Sequence, residues 1–459
     1  MDTKALKEPF FTKDSIFYKT LFRLLVVVAM QNLVAYSVNM LDNIMLGSYN
    51  QNALSGAATV NQIFFMVQQT AIAVGNALVA VASQYWGRKE LEPIRRVTGI
   101  ALKISLGIGA LVLGLCSFFP RQILGIFTTS PEILAESMDY LVLLKWSFVL
   151  FLISNLLISM LRSVEIVKIS FLVSLLSLAV NGCINYTLIF GHFGFPEMGV
   201  RGAAVGTLTA RIVELAVVLF YVAVVDKRVC LFKRGPRVHD DRLFGTFIRV
   251  LAPILFTSFV WAVSVPMQTA VLGHLSSDAI AANSVATTFF QYLKVIVVAL
   301  SSASAVIIGK DIGAGEKERI RSDARTLAVV DIAVGVVLAL LLFLLKDPLL
   351  SLYELNDNAL ALAHNLMIVM SVIMVGMSYQ MPVAMGILQG AGDTRFTMWC
   401  NILFTWGIVM PLTFLTAFFW RLPVEIVVIA VQSDQILKCL PVFLRFRSYR
   451  WIHRLTASE

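Results

Sequence analysis

Charge is scarce in this chain. Of its 459 residues only 14% are Asp, Glu, Lys or Arg, whereas 58% are hydrophobic and the mean hydropathy is +0.82. Soluble domains average about 45–50% apolar residues. A soluble globular fold is therefore excluded, and the chain reads as a multi-pass membrane protein. Long polar connections are also missing. The longest runs from Asp226 to Arg242, so no loop can hold a soluble catalytic domain. The five cysteines (Cys116, Cys183, Cys230, Cys400, Cys439) form no CxxC and no metal spacing. Four read as membrane packing residues and Cys230 as a free cytoplasmic thiol. None of the five histidines makes a metal pair, no DxD occurs, and no loop joins a nucleophile to a base. These absences argue against a polytopic membrane enzyme. The halves show no ring-like repeat of a selectivity filter, which argues against a channel. The N-terminus lacks a short apolar core with a small-residue cleavage site, so no removable signal peptide is expected.

What is present is a series of apolar segments of about 20 residues or more, the length that crosses a bilayer. Twelve are read. The first six are Thr20–Gly47, Asn52–Gln84, Ile94–Phe118, Ile133–Leu161, Ile166–Phe190 and Gly202–Val225. The second six are Leu243–Gly273, Asp278–Gly309, Ile320–Leu345, Ala359–Leu388, Phe396–Phe419 and Val424–Phe446. With the N-terminus inside, the inner segments carry 27 Lys and Arg against four outside, Arg121, Arg201, Lys346 and Arg421. The positive-inside rule then places both termini in the cytoplasm, which an even number of spans satisfies. The same loops account for the net charge of +9, so nucleic acid is not implied. The basic connection Asp226–Arg242 reads as a cytoplasmic tether that touches the lipid surface.

The halves repeat. MLGSYNQNALSGAA (Met45 to Ala58) matches VLGHLSSDAIAANS (Val271 to Ser284) at an offset of 226, and WGRKE (Trp86 to Glu90) falls at that offset, within a residue, from Ile312 to Lys317. LRSVEIVKI (Leu161 to Ile169) matches LQGAGDTRF (Leu388 to Phe396) at an offset of 227. Six helices per repeat give both repeats one orientation, related by an axis along the membrane normal, with a cavity between them near the midplane. The expected fold is all-α: twelve transmembrane helices in two six-helix lobes with pseudo-two-fold symmetry. Residues 1–225 form the N-lobe, 226–242 the linker, and 243–459 the C-lobe with a cytoplasmic tail.

Polar residues inside the spans mark the candidate sites. In Gln31–Asn52, the residues Asn32, Tyr36, Asn39 and Asn43 fall at i, i+4, i+7 and i+11 and share a helix face, with Asp42 beside it. A carboxylate in a membrane helix costs roughly 2.5–3.5 kcal/mol, so it normally looks into a cavity or at a partner. The other reading of Asp42 is a helix-end carboxylate wetted at the outer interface. Gln62, Gln69 and Asn76 form a heptad-spaced face on helix 2 that either lines a cavity or bridges helices. On helix 8, Lys294 continues the face of Asn283, Thr287 and Gln291. It either lines the cavity or pairs with Asp434, which has Lys438 one turn away. Arg211 and Glu214 are read as a structural i, i+3 pair. Asp331, near the inner end of helix 9, is expected to be wet. Met367, Met370, Met374, Met377, Met381 and Met385 make one stripe on helix 10, which is either an adaptable substrate wall or a helix–helix seam. Pro253, Pro266, Pro382 and Pro411 interrupt helices 7, 10 and 11, and a bend in helix 7 is expected.

LDNIMLG in the first helix, the QYWGRKE loop, NGCINYTLIFG in the fifth, the following GVRGAAVGT, and LQGAGDTRF stand in an order and spacing that resembles the multidrug and toxic compound extrusion (MATE) transporters. The resemblance covers nearly the whole chain. It implies efflux of organic cations or amphiphiles by alternating access, in exchange for H⁺ or Na⁺. No cofactor, no metal and no nucleic acid are implied, although Na⁺ at Asp42 is an option. The expected partners are small-molecule substrates and membrane lipids, and the expected form is a monomer in the plasma (inner) membrane. Carried over residue by residue, the ion-coupling site is Asp42, Asn181, Asn185 and Thr207. Asn185 stands where some relatives have Asp, which leaves Asp42 as the carboxylate of the site and favours H⁺. In the second half, relatives often carry acidic residues on helices 7 and 10. Here both segments lack one, and the repeat equivalent of Asp42 is Gln268. The expected cavity residues are Asn32, Tyr36, Asn39, Gln62, Gln69, Gln268, Asn283, Thr287, Gln291, Lys294, Met374, Met377 and Met381. The rival is a lipid-linked precursor flippase of the same superfamily. Lys294, Lys145 and Arg211 support it, but such flippases usually carry about two more spans, as resemblance suggests.

Overall fold

A computed structural model describes residues 11–232, 241–273, 277–351, 353 and 355–456. The basic part of the expected linker, 233–240, and the first ten residues lie outside the described residues. Among the described residues the fold is all-helical, with twelve helices long and apolar enough to cross a membrane. They are α1 Ser15–Tyr49, α2 Gln51–Gly87, α3 Leu91–Phe118, α4 Pro131–Ser163, α5 Lys168–Phe190 and α6 Val200–Val225. The second set comprises α7 Asp241–Gly273, α8 Ser277–Ala314, α9 Lys317–Leu350, α10 Asp357–Leu388, α11 Thr394–Phe419 and α12 Val424–Ser448. Several helices extend beyond the apolar segments read from sequence. The reason is that backbone hydrogen bonding continues into polar flanks where hydropathy has already fallen.

The chain divides into two compact units. One comprises Met30–Ala82 and Glu90–Leu251; the other comprises Met1–Ala29, Ser83–Lys89 and Ala252–Glu459. The core of the first gathers Leu46, Val60 and Val67 with Leu141, Phe148, Leu152 and Ala203. The core of the second gathers Val285, Phe290 and Leu338 with Met367, Met370, Met374 and Val427. Outward-facing positions are also apolar: Trp399, Leu403, Phe414, Phe418 and Trp420 of α11 and its end are exposed. In lipid such a surface is satisfied, because the surrounding acyl chains are as apolar as the side chains. Cys183 is exposed rather than packed in the core, and all five cysteines are free thiols.

Proline shapes the helices unevenly. α10 changes to wide π turns over Pro382–Leu388, where the proline ring removes a backbone donor. α11 has similar turns at Ile402–Val409 and Leu415–Phe419, on either side of Pro411. α7 stays α-helical through Pro253 and Pro266. α1 has no proline and is a continuous helix past Asp42. Just after α6, the Asp226 carboxylate accepts from the backbone N–H groups of Arg228 and Cys230 at 3.0 and 3.1 Å, and Arg95 donates to the Val229 carbonyl at 2.7 Å. The start of the linker is therefore fastened to the first unit.

Candidate ion-coupling site

Three helices of the first unit meet at a buried polar chain. On α5, Asn181 and Asn185 are one turn apart and face the same way, and both are completely buried. Asn185 Nδ2 donates to Asp42 Oδ1 of α1 at 2.5 Å and also reaches Asn181 Oδ1 at 3.3 Å. Asn181 Nδ2 donates to Thr207 Oγ1 of α6 at 3.3 Å. Asp42 itself is 8% exposed. Gly206 lets α6 approach closely: a Cβ there would fall 2.0 Å from Asn185 Oδ1. That oxygen is buried and has no hydrogen-bond partner. The amide of Asn185 thus gives Asp42 a donor, while its oxygen, turned toward Gly206, has no partner.

Two further residues belong to this neighbourhood. Tyr140 of α4, 2% exposed, has its hydroxyl close to Thr207. Its signal in the sequence was only a hydroxyl in an apolar span. Arg211 of α6 lies within electrostatic reach of Asp42. It donates to Glu214 at 2.6 Å, Ser154 donates to the same carboxylate at 2.7 Å, and the guanidinium sits 4.8 Å from the Phe151 ring. The Arg211–Glu214 pair is therefore present as expected, but its cation also acts on the candidate site.

The other candidates are placed differently. The Tyr36 and Asn39 side chains are exposed and Asn32 is half-buried. The stripe that flagged α1 therefore faces away from the polar chain that Asp42 joins. On α2, Gln62 is exposed and Gln69 half-buried. In the second unit Gln268, Asn283, Thr287, Gln291 and Lys294 are all half-buried. Lys294 Nζ lies 5.5 Å from the Trp261 ring centre and only within electrostatic reach of Asp434. The direct partner of Asp434 is Lys438, at 2.9 Å, whose ammonium also donates to Asn401 at 2.8 Å and Thr405 at 3.2 Å. Met374 and Met377 are buried in the second unit's core, and Met381 packs against it. That packing is the seam arrangement of the stripe. Lys145 donates to Ser117 at 3.1 Å between α4 and α3.

Comparison with known proteins gives consistent results. The family model MatE matches residues 28–187 and 253–415, two stretches offset by nearly the interval of the sequence repeats. A Rhizobium meliloti (strain 1021) protein named "Probable multidrug resistance protein NorM" is 24% identical, over 93% of this chain and 92% of its own. The "Multidrug resistance protein PmpM" of Pseudomonas aeruginosa is 26% identical, over 86% of this chain and 82% of its own. A mutant of the Vibrio cholerae MATE transporter VcmN superposes with a TM-score of 0.87 at 18% identity, covering 96% of this chain and 98% of that one. The match to the family model, over well more than half of the residues, shows that this twelve-span chain belongs to the MatE family of membrane transporters and is not an enzyme.

Proposed function

We propose that the protein is a secondary active efflux antiporter that exports organic cations or amphiphiles in exchange for H⁺, with Asp42 as the group that carries the proton. The observation that carries this reading is the buried chain Asp42–Asn185–Asn181–Thr207. As a carboxylate, Asp42 accepts from Asn185 Nδ2. As a carboxylic acid it needs an acceptor, and Asn185 Oδ1, unpartnered beside Gly206, supplies one when the amide turns over. One amide can serve both states, which suits a site that gains and loses a proton. Na⁺ would use the same oxygens with a single carboxylate for charge compensation.

In this reading the protein sits in the plasma (inner) membrane as a monomer with both termini cytoplasmic. Residues 1–225 and 243–459 work as the two lobes of an alternating-access cycle. The accessible polar residues Asn32, Tyr36, Asn39, Gln62 and Gln69 line the substrate path. Protonation of Asp42 from outside removes its attraction for a cationic substrate and lets α1, α5 and α6 repack. The test is transport of a fluorescent lipophilic cation in proteoliposomes under an imposed ΔpH or ΔNa⁺, for the wild type and Asp42→Asn. ΔpH-driven uptake in the wild type alone is expected. Retained uptake in the variant sinks the assignment of Asp42, and uptake driven only by ΔNa⁺ replaces the coupling ion.

A further inference from the structure

The second unit holds an ionisable group for which the Asp42 reading has no use. Asp331, in the middle of α9, is completely buried, not wet as its sequence position suggested, because α10 packs over it. Both of its carboxyl oxygens lack a hydrogen-bond partner, and it makes no ion pair among the described residues. On α10, two adjacent hydroxyls, Ser378 Oγ and Tyr379 Oη, are also buried and unpartnered.

Geometry brings the three together. Gly335, one turn beyond Asp331 on the same face of α9, meets α10 so closely that a Cβ there would fall 2.5 Å from Ser378 Cβ. Tyr379 lies within electrostatic reach of Asp331. Pro382, one turn past Ser378, has no N–H to give the Ser378 carbonyl. A bare carboxylate here would be buried without donor or counter-charge, at a cost of several kcal/mol. A carboxylic acid would instead have an O–H to donate and hydroxyls to receive it.

We infer that Asp331, with the hydroxyls of Ser378 and Tyr379, forms a second proton-binding site, independent of Asp42. The neutral Asp331 carboxyl holds its proton while buried, turns to the α10 hydroxyls that stand unpartnered in this structure, and releases the proton when the site is opened or the medium made alkaline. The titratable neighbour from α10 is Tyr379, which is itself within electrostatic reach of Cys439 on α12. The Cys439 thiol is already occupied by the Gly376 and Gln435 carbonyls at 3.4 and 3.3 Å. α8 also packs on α9 and carries Tyr292, Lys294, Lys310 and Asp311. None of them hydrogen-bonds to Asp331.

The experiment uses the full chain in liposomes with Asp42→Asn throughout, so that its outcome does not depend on the antiport reading. Infrared difference spectra with carboxyl-labelled aspartate are compared with and without Asp331→Asn. The expected result is a protonated-carboxyl C=O band that fades on alkalinisation and is absent in Asp331→Asn. An alkaline jump followed with a calibrated pH dye should release about one more proton per molecule from the form that keeps Asp331. Equal proton release and identical spectra would overturn the inference. So would a band removed by NaCl at constant pH, which would make this a cation site. Should Asp331→Asn fail to fold, Ser378→Ala serves instead: a shifted band supports the hydrogen bond, and an unmoved one refutes it.

Discussion

Asp42 gains its meaning from Asn185, and Asn185 is held in place by the absence of a side chain at Gly206. A methyl at 206 would overlap the Asn185 amide oxygen. Gly206→Ala should therefore displace the amide and cut ΔpH-driven transport severely. It should also lower stability by about 1–3 kcal/mol, the usual cost of overpacking. Transport assays beside thermal melts check this, and full transport would mean that the Asn185 contact is dispensable. Asp393, in the turn between α10 and α11, offers a second test. Burial pushes its carboxyl up, but contacts from His453 and from Arg445, whose Nε lies 2.7 Å away, outweigh that and hold it below the usual carboxylate range. A depressed carboxyl stabilises the fold above its unfolded value of about 3.9 and loses that contribution as pH falls through the lower folded value. Asp393→Asn should thus melt below the wild type at pH 7, with the gap closing in acid. A gap that widens on acidification would contradict the assigned sign.

At the scale of the element, α10 shows why a periodic stripe does not declare its role. Steps of three and four mark a helix face, and a cavity wall and a packing seam have the same period. The structure seats Met374 and Met377 in the second unit's core at 0% and 2% exposure. Met374→Ala should therefore cost about 2–5 kcal/mol of stability, as large-to-small core changes do, while the range of transported compounds stays the same. Thermal melts and a panel of dyes check both halves of this expectation. An altered range with unchanged stability would return the stripe to the substrate path. The α1 stripe makes the opposite point. Tyr36 and Asn39 are accessible, yet the carboxylate beside them turns inward to α5. Sequence spacing located the polar helix but could not say which neighbour its buried side would meet.

For the molecule as a whole, the antiport reading makes a prediction about charge. One-for-one exchange of a monovalent cation for H⁺ moves no net charge, so the roughly 2.3 kcal/mol per 100 mV available from the membrane potential should not drive it. Uptake at fixed ΔpH should be the same with the potential clamped at zero or set negative by a K⁺ gradient and valinomycin. A strong dependence on the potential would exclude that stoichiometry. Twelve spans, the all-helical class and the internal duplication were legible in the sequence. Each depends on local composition and self-similarity, and in lipid a backbone crossing the bilayer has few options besides a helix. The Asp42, Asn181, Asn185 and Thr207 set was legible through family motifs, and the i, i+4 spacing already put both asparagines on one face. Only the tertiary structure decided that Tyr140 and Arg211 border that set, that Lys438 and not Lys294 is the direct partner of Asp434, and that Asp331 is dry. Apart from the Asp434–Lys438 pair, which lies within α12, these are outcomes of packing between helices far apart in the chain. They are set by which faces pack, and small residues such as Gly206 and Gly335 fix that closeness without announcing their neighbours in sequence.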